Sequence, residues 1–201
     1  MSHQRNNYLV SYGHSGNTWA RYIVEFLTKK PTHGHRAFSI SERGDNFLDI
    51  NLDAKPLLIK RHTLEDVTDK DYFILLLRDP SECIKGDQDV HKEFLKYYSL
   101  IKGYDAHKGP KSVMFYDELF NRMLVRAWIE DLKRTHNNQL LGGWMHSDRI
   151  EDLFDNWDKH LEQCKSLYAN ETHKRGADLS VIPKILLEHD LIKNTCSSVH
   201  V

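Results

Sequence analysis

The sequence predicts an α/β fold: a single domain over residues 1–201 with a mainly parallel central sheet flanked by helices. Three observations lead there. Short apolar runs of strand length alternate with stretches of helical periodicity. The run DYFILLLRDP is apolar almost throughout, as suits a strand covered on both faces of a parallel sheet. A loop of small residues, SYGHSGNT, stands between the first apolar run and the first helical pattern, where α/β folds gather backbone N–H groups.

Taken in order, YLVSY (Tyr8 to Tyr12) reads as a strand, and Trp19, Ile23, Phe26 and Leu27 recur at helical spacing until Pro31 stops the run. Thr32 to Lys55 is polar and without clear periodicity, which predicts a substrate loop or an irregular excursion. PLLIKRH (Pro56 to His62) is the second strand and DYFILLLRDP (Asp71 to Pro80) the third. Ser81 to Ile101 reads as one helix. GPKSVMFYDELF adds a strand that runs into a helix carrying Leu124, Trp128 and Leu132. Beyond Gly142 and Gly143, Asp148 and Glu151 form a candidate capping box for one helix with Ile150, Phe154, Trp157, Leu161 and Cys164 on its buried stripe. VIPKILLEHDLI is the last helical candidate.

Composition narrows the function classes. With 28 basic and 29 acidic residues the formal net charge is −1, which argues against a general grip on nucleic acid or on a membrane surface but leaves room for a local basic pocket. The mean hydropathy of −0.60 and the short apolar runs argue against a bilayer protein. Cys83, Cys164 and Cys196 make no metal-ligand spacing, so no metal site is expected. The N-terminal stretch MSHQRNNYLV lacks signal-peptide character, and the expectation is a cytoplasmic protein.

The candidate site is built from three strand ends. In the first loop Gly13 and Gly16 permit a tight turn, while Ser15, Asn17 and Thr18 offer short donors at a helix N-terminus. A capped glycine-rich turn is the plain alternative. In the extended segment after Ile59, Lys60 and His62 share one face and Arg61 points the other way, so a cation and a candidate base look into the same cleft. Arg78 closes the third strand, positioned to fork onto a phosphate or to pair with Asp79 or another carboxylate. Together these favour a pocket for an anionic ligand.

The same residues carry a family resemblance. SYGHSGNTWARY resembles the 5′-phosphosulfate loop of the PAPS-dependent sulfotransferases, written around Tyr-Pro-Lys-Ser-Gly-x-Thr-Trp; DYFILLLRDPSECI resembles their 3′-phosphate strand and turn; LLIKRH resembles their Lys-x-His segment, and VMFYDEL their Tyr-Glu-Asp-Leu strand end. The resemblance implies a P-loop-like phosphosulfate-binding loop with PAPS as the cofactor and PAP as its product. Gly13, His14, Ser15, Gly16, Asn17 and Thr18 would hold the phosphosulfate, Trp19 would stack near the adenine, although its place at the head of the apolar helical stripe suits the core equally, and Tyr116 would approach the base. Arg78 would grip the 3′-phosphate, joined by Lys174, Arg175 and Gly176 from a late Arg-Lys-Gly-like segment. His62 would be the catalytic base for a hydroxyl, or less readily an amine, of a small-molecule or glycan acceptor, with Lys60 steadying charge.

Two departures stand against that pattern. His14 replaces the family lysine of the first loop and Gly13 its proline, which takes a permanent positive charge from the leaving group unless His14 or Lys60 supplies it. Gly86 stands where the family serine, eight residues beyond the arginine, would contact the 3′-phosphate. The rival expectations are a non-catalytic PAP- or phosphosugar-binding protein of the same fold and a P-loop-type kinase. The kinase lacks its lysine here, because Asn17-Thr18 stands in place of Gly-Lys-Ser/Thr.

Overall fold

The computed structural model describes residues 5–34, 39–44, 47–135, 141–167 and 176–196. Five parallel strands form one sheet in the order β2-β3-β1-β4-β5, with β1 at Asn7–Ser11, β2 at Thr32–His33, β3 at Leu58–Arg61, β4 at Tyr72–Leu77 and β5 at Lys111–Phe115. Helices cover both faces, so the α/β expectation holds. Every residue of β1 and β4 is buried, which is why β4 reads as an unbroken apolar run and β1 as Tyr-Leu-Val between a buried Asn7 and Ser11.

Alternation along these strands divides the interior in two. Leu9, Ile74, Leu76 and Met114 face a core shared with α1 (Asn17–Thr28), α4 (Arg122–Thr135), α5 (Ser147–Asp155) and α6 (Trp157–Ser166). Tyr8, Val10, Phe73, Leu75 and Leu77 face a second core closed by α3 (Val90–Ala106) and by the segment running through α7 (Lys184–Leu187) and α8 (Asp190–Cys196). Among the described residues no helix is long and apolar enough to cross a membrane.

Several sequence expectations are corrected. The single helix over Ser81 to Ile101 is two: α2 (Pro80–Cys83), capped by the Asp79 carboxylate on the Ser81 N–H, and α3, which starts on an Asp89 cap and runs on to Ala106. The α4 stripe is shifted by one residue: Val125 and Ile129 are buried with Leu132, while Leu124 is exposed. The Asp148–Glu151 capping box does not form, because the cap position belongs to His146, and the long helix breaks at Asn156 into α5 and α6. The last candidate is a short 3₁₀ turn at Leu179–Val181 followed by α7 and α8.

The polar tract after α1 contains the unforeseen edge strand β2 and is tied down by one carboxylate. Glu25, wholly buried on α1, accepts hydrogen bonds from the Thr32 N–H (3.0 Å) and hydroxyl (2.5 Å), the Ser39 hydroxyl (2.6 Å) and the N–H groups of Ile40 (2.8 Å) and Ser41 (2.9 Å). Arg21 donates to the same Thr32 hydroxyl at 2.7 Å. These bonds satisfy donors of Thr32, Ser39, Ile40 and Ser41 and so let a polar segment lie against a helix. Across α1, the Tyr22 hydroxyl meets His160 Nδ1 at 2.8 Å, and burial pushes the His160 imidazole below its ordinary pKa.

Glu25→Ala strands these donors together and is expected to cost about 3–5 kcal/mol in urea unfolding, with Glu25→Gln recovering only part, since an amide NH₂ would face other donors. Because folded His160 binds its proton less readily than unfolded, stability is complete above the ordinary imidazole value near 6.5 and falls as pH drops through it. A melting-temperature series from pH 7.5 to 5.0 should therefore fall less steeply in His160→Asn.

Candidate functional site

The strand order reverses direction at β1: the chain leaves β1 for β2 and β3 on one side and reaches β4 and β5 on the other. Parallel sheets open a crevice beyond the carboxyl ends of the strands at such a switch point. The small-residue loop stands there, because β1 ends at Ser11 and α1 begins at Asn17. The ends of β3 and β4 flank it, delivering His62 from one side and Arg78 from the other.

Backbone conformation shapes the loop. His14 (φ 62°) and Gly16 (φ 83°) are both left-handed, which costs His14 about 1 kcal/mol and Gly16 little. Gly16 is also the cap residue of α1 and has no side chain to satisfy the first-turn N–H groups; no acidic residue lies in that turn. A side chain at Gly13 would meet open space, whereas one at Gly16 would meet the Tyr116 ring at 2.8 Å. The Ser15 hydroxyl is buried, with the Cys83 thiol beside it and no oxygen or nitrogen partner. The Asn17 amide donates to the Ser11 hydroxyl at 2.5 Å, so this side chain braces the end of β1, leaving Asn17 Oδ1 buried and unpartnered. Thr18 is half-buried in the first turn of α1.

On the β3 side, His62 Nδ1 lies 2.7 Å from the Ser11 carbonyl oxygen. A carbonyl only accepts, so Nδ1 carries the proton and the neutral ring has its lone pair on Nε2. The main chain of β1 thereby sets both the tautomer and the tilt of an exposed imidazole. Lys60 is in register with Leu9 on the α1 side of the sheet, and Arg61 is in register with Val10 on the other, where its guanidinium lies 5.9 Å from the Tyr8 ring. Lys60 and Arg61 thus alternate across the sheet as the sequence predicts, and His62 follows just beyond the end of β3.

On the β4 side, Arg78 is 8% exposed and held from several directions. Nη1 donates to the His14 carbonyl at 3.2 Å, Nε and Nη2 both reach Glu82 Oε2 at 2.8 and 2.7 Å, and the guanidinium lies 3.9 Å over the Tyr116 ring. Tyr116 also abuts Gly16, so its ring is the packing surface between loop and arginine. The carboxylate partner is Glu82 rather than Asp79, whose oxygen caps α2. Burial, and then the charge of Glu82, hold the Asp117 carboxyl above the ordinary range. Burial also pushes the Cys83 thiol up to about 12, with Arg78 and Ser15 acting against it, so it stays a protonated packing group.

No protein-family model matches the chain, and no curated protein matches it either.

Trp19 is corrected. It is 3% exposed, donates its indole N–H to the Leu119 carbonyl at 2.7 Å, stacks on Tyr22 and meets the edge of Trp157. Both the ring and its polar atom are used by the core, so it offers no platform for a base. Gly176 does reach the Arg78 end: Ala177 N–H donates to the Ser81 carbonyl at 3.0 Å, and Gly86 packs against the Gly176 carbonyl. Lys174 and Arg175 lie outside the described residues. Two partners of Arg78 were missed in the sequence. Glu82 had a signal, since it stands four residues on and just behind a proline that starts a helix. Tyr97, whose hydroxyl donates to the Arg78 carbonyl at 3.0 Å, had none, because it arrives from α3.

The Gly86 contact explains why a serine is absent there. A Cβ at Gly86 would come within 2.7 Å of the Gly176 carbonyl oxygen, a backbone atom that cannot swing aside. Gly86→Ser is expected to lower stability by about 1–3 kcal/mol in urea unfolding. Gly13→Ser, with open space around its Cβ, should stay within about 0.5 kcal/mol of the parent.

Proposed function

We propose that the protein is a PAPS-dependent sulfotransferase acting on a hydroxyl of a small-molecule or glycan acceptor. The observation that carries the reading is the strand order β2-β3-β1-β4-β5, which sets a left-handed small-residue loop, an oriented imidazole and a buried arginine around one switch point. The residues fit the 5′ end of the cofactor. An uncapped helix N-terminus and a buried Ser15 hydroxyl with only the Cys83 thiol beside it both have room for an oxyanion acceptor, and open space lies over Gly13. At the 3′ end Arg78 supplies the fork, with Gly176 alongside its turn.

When bound, PAPS supplies the sulfuryl group and leaves as PAP. His62 takes the acceptor's proton on Nε2; the Ser11 carbonyl holds Nδ1–H and so favours the imidazolium that results. Lys60, which the strand repeat would set on the face of His62, supplies positive charge to the reacting oxygens. His14 presents its carbonyl to Arg78 and, in sequence, stands where the family has its lysine. Arg78 binds and orients. No covalent intermediate is needed from the chain.

Calorimetric titration with PAP, with ADP as control, tests the reading: preference for PAP supports it, and no PAP binding removes it. His62→Ala should abolish turnover with PAP affinity within about threefold, because the ring is exposed and acts on the acceptor's proton. Arg78→Ala should weaken PAP binding by about tenfold or more. Equal loss of PAP affinity in the two variants would contradict the separate roles.

A further inference from the structure

Arg78 already holds an anion, and that anion belongs to the chain. Nε and Nη2 form the side of the guanidinium that best matches an oxyanion fork, and both are spent on one oxygen of Glu82. The two partners differ in freedom. The Arg78 side chain is 9% exposed and is fixed by the His14 carbonyl and the Tyr116 ring, whereas the Glu82 side chain is 46% exposed and sits on a helix of only four residues. Glu82 can swing into water, and Arg78 has nowhere to go. Two further carboxylates stand close: Asp117, which senses both Arg78 and Glu82, and Asp79 at the cap of α2. An incoming phosphate therefore meets a fork whose charge is already answered.

We propose that Glu82 competes with the ligand's 3′-phosphate for Arg78, and so sets how strongly the site discriminates PAP from ADP. This rests on the sulfotransferase reading of the same site and adds the residue that tunes its cofactor selectivity. In the ligand-free protein Glu82 keeps a buried cation paired and the His14 turn in place. On binding, the 3′-phosphate takes over the Nε–Nη2 edge and the Glu82 carboxylate returns to water, so part of the phosphate's binding energy goes into displacing it. ADP has no 3′-phosphate and leaves the pair intact.

The test is calorimetric titration of the parent, Glu82→Gln and Glu82→Ala with PAP and with ADP, each variant first compared with the parent by thermal melting. Relief of the competition predicts PAP binding tighter by about fivefold to tenfold in both variants, with ADP unchanged within about twofold. A parent that binds PAP while the variants bind it equally or more weakly overturns the competition and leaves the cofactor assignment standing; Glu82 is then a prop for Arg78. PAP binding by the variants alone supports the proposal most strongly. Absence of PAP binding by all three proteins removes the sulfotransferase reading and the competition together. A variant that fails to melt cooperatively is set aside for the other, and failure of both means that Glu82 is required to keep Arg78 folded, which also overturns the proposal.

Discussion

The guanidinium of Arg78 ties together the chain segments that emerge at the carboxyl end of the sheet. It reaches back 64 residues to the carbonyl of His14, lies on the ring of Tyr116 at the end of β5, and closes a pair with Glu82 on α2; its own carbonyl accepts from Tyr97 on α3. A cation that is 8% exposed is costly unless its N–H groups are answered. Those answers are also the contacts that hold the loop in shape. The left-handed turn at His14 is strained for a residue with a side chain, and its carbonyl is pinned by the same arginine. Charge, strain and site geometry at the β4 end are one problem solved by one residue.

The opposite flank works by main chain instead. His62 is oriented by the Ser11 carbonyl, and Ser11 is braced by Asn17. The carboxyl end of β1 thus sets the imidazole on one side and begins the loop on the other. Deeper in the same layer, Glu25 gathers the donors of the segment after α1, so the helix that carries the loop at its first turn is anchored further along by a buried carboxylate. Polar interactions lock the elements that the two apolar cores bring together.

What was legible in the sequence follows from periodicity. β4 could be read because a strand covered on both faces is apolar without gaps, β1, β3 and β5 because each carries a short apolar run, and the alternation of Lys60 against Arg61 follows from the strand repeat alone. β2 could not be read: two residues of an edge strand leave no pattern, and their pairing depends on Leu58 and Ile59 far along the chain. The long helix over 147–166 misled because apolar spacing continues across Asn156 even though the backbone turns there. At the site, local order revealed the loop, the histidine and the arginine, but not what each would touch. Trp19 looked equally suited to a ligand and to a core, and only the arrival of Leu119 and Trp157 decides for the core. Gly86 looked like a missing contact and is a close approach to Gly176.

The central strand of the sheet also comes before both of its partners in the chain. Tyr8 pairs with Ile59 on one side and Phe73 on the other, so during synthesis the backbone N–H and C=O groups of β1 wait for residues made about fifty and about sixty-five positions later. At ordinary ribosomal speeds that delay is about 3–13 s. α1 follows β1 directly and can cover one face of it at once, but both edges stay open, and each is an invitation to pair with a strand of another chain. The topology that creates the crevice beyond Ser11 therefore also creates an aggregation-prone nascent state, whose exposure ends only when β4 emerges and the sheet closes around its first strand.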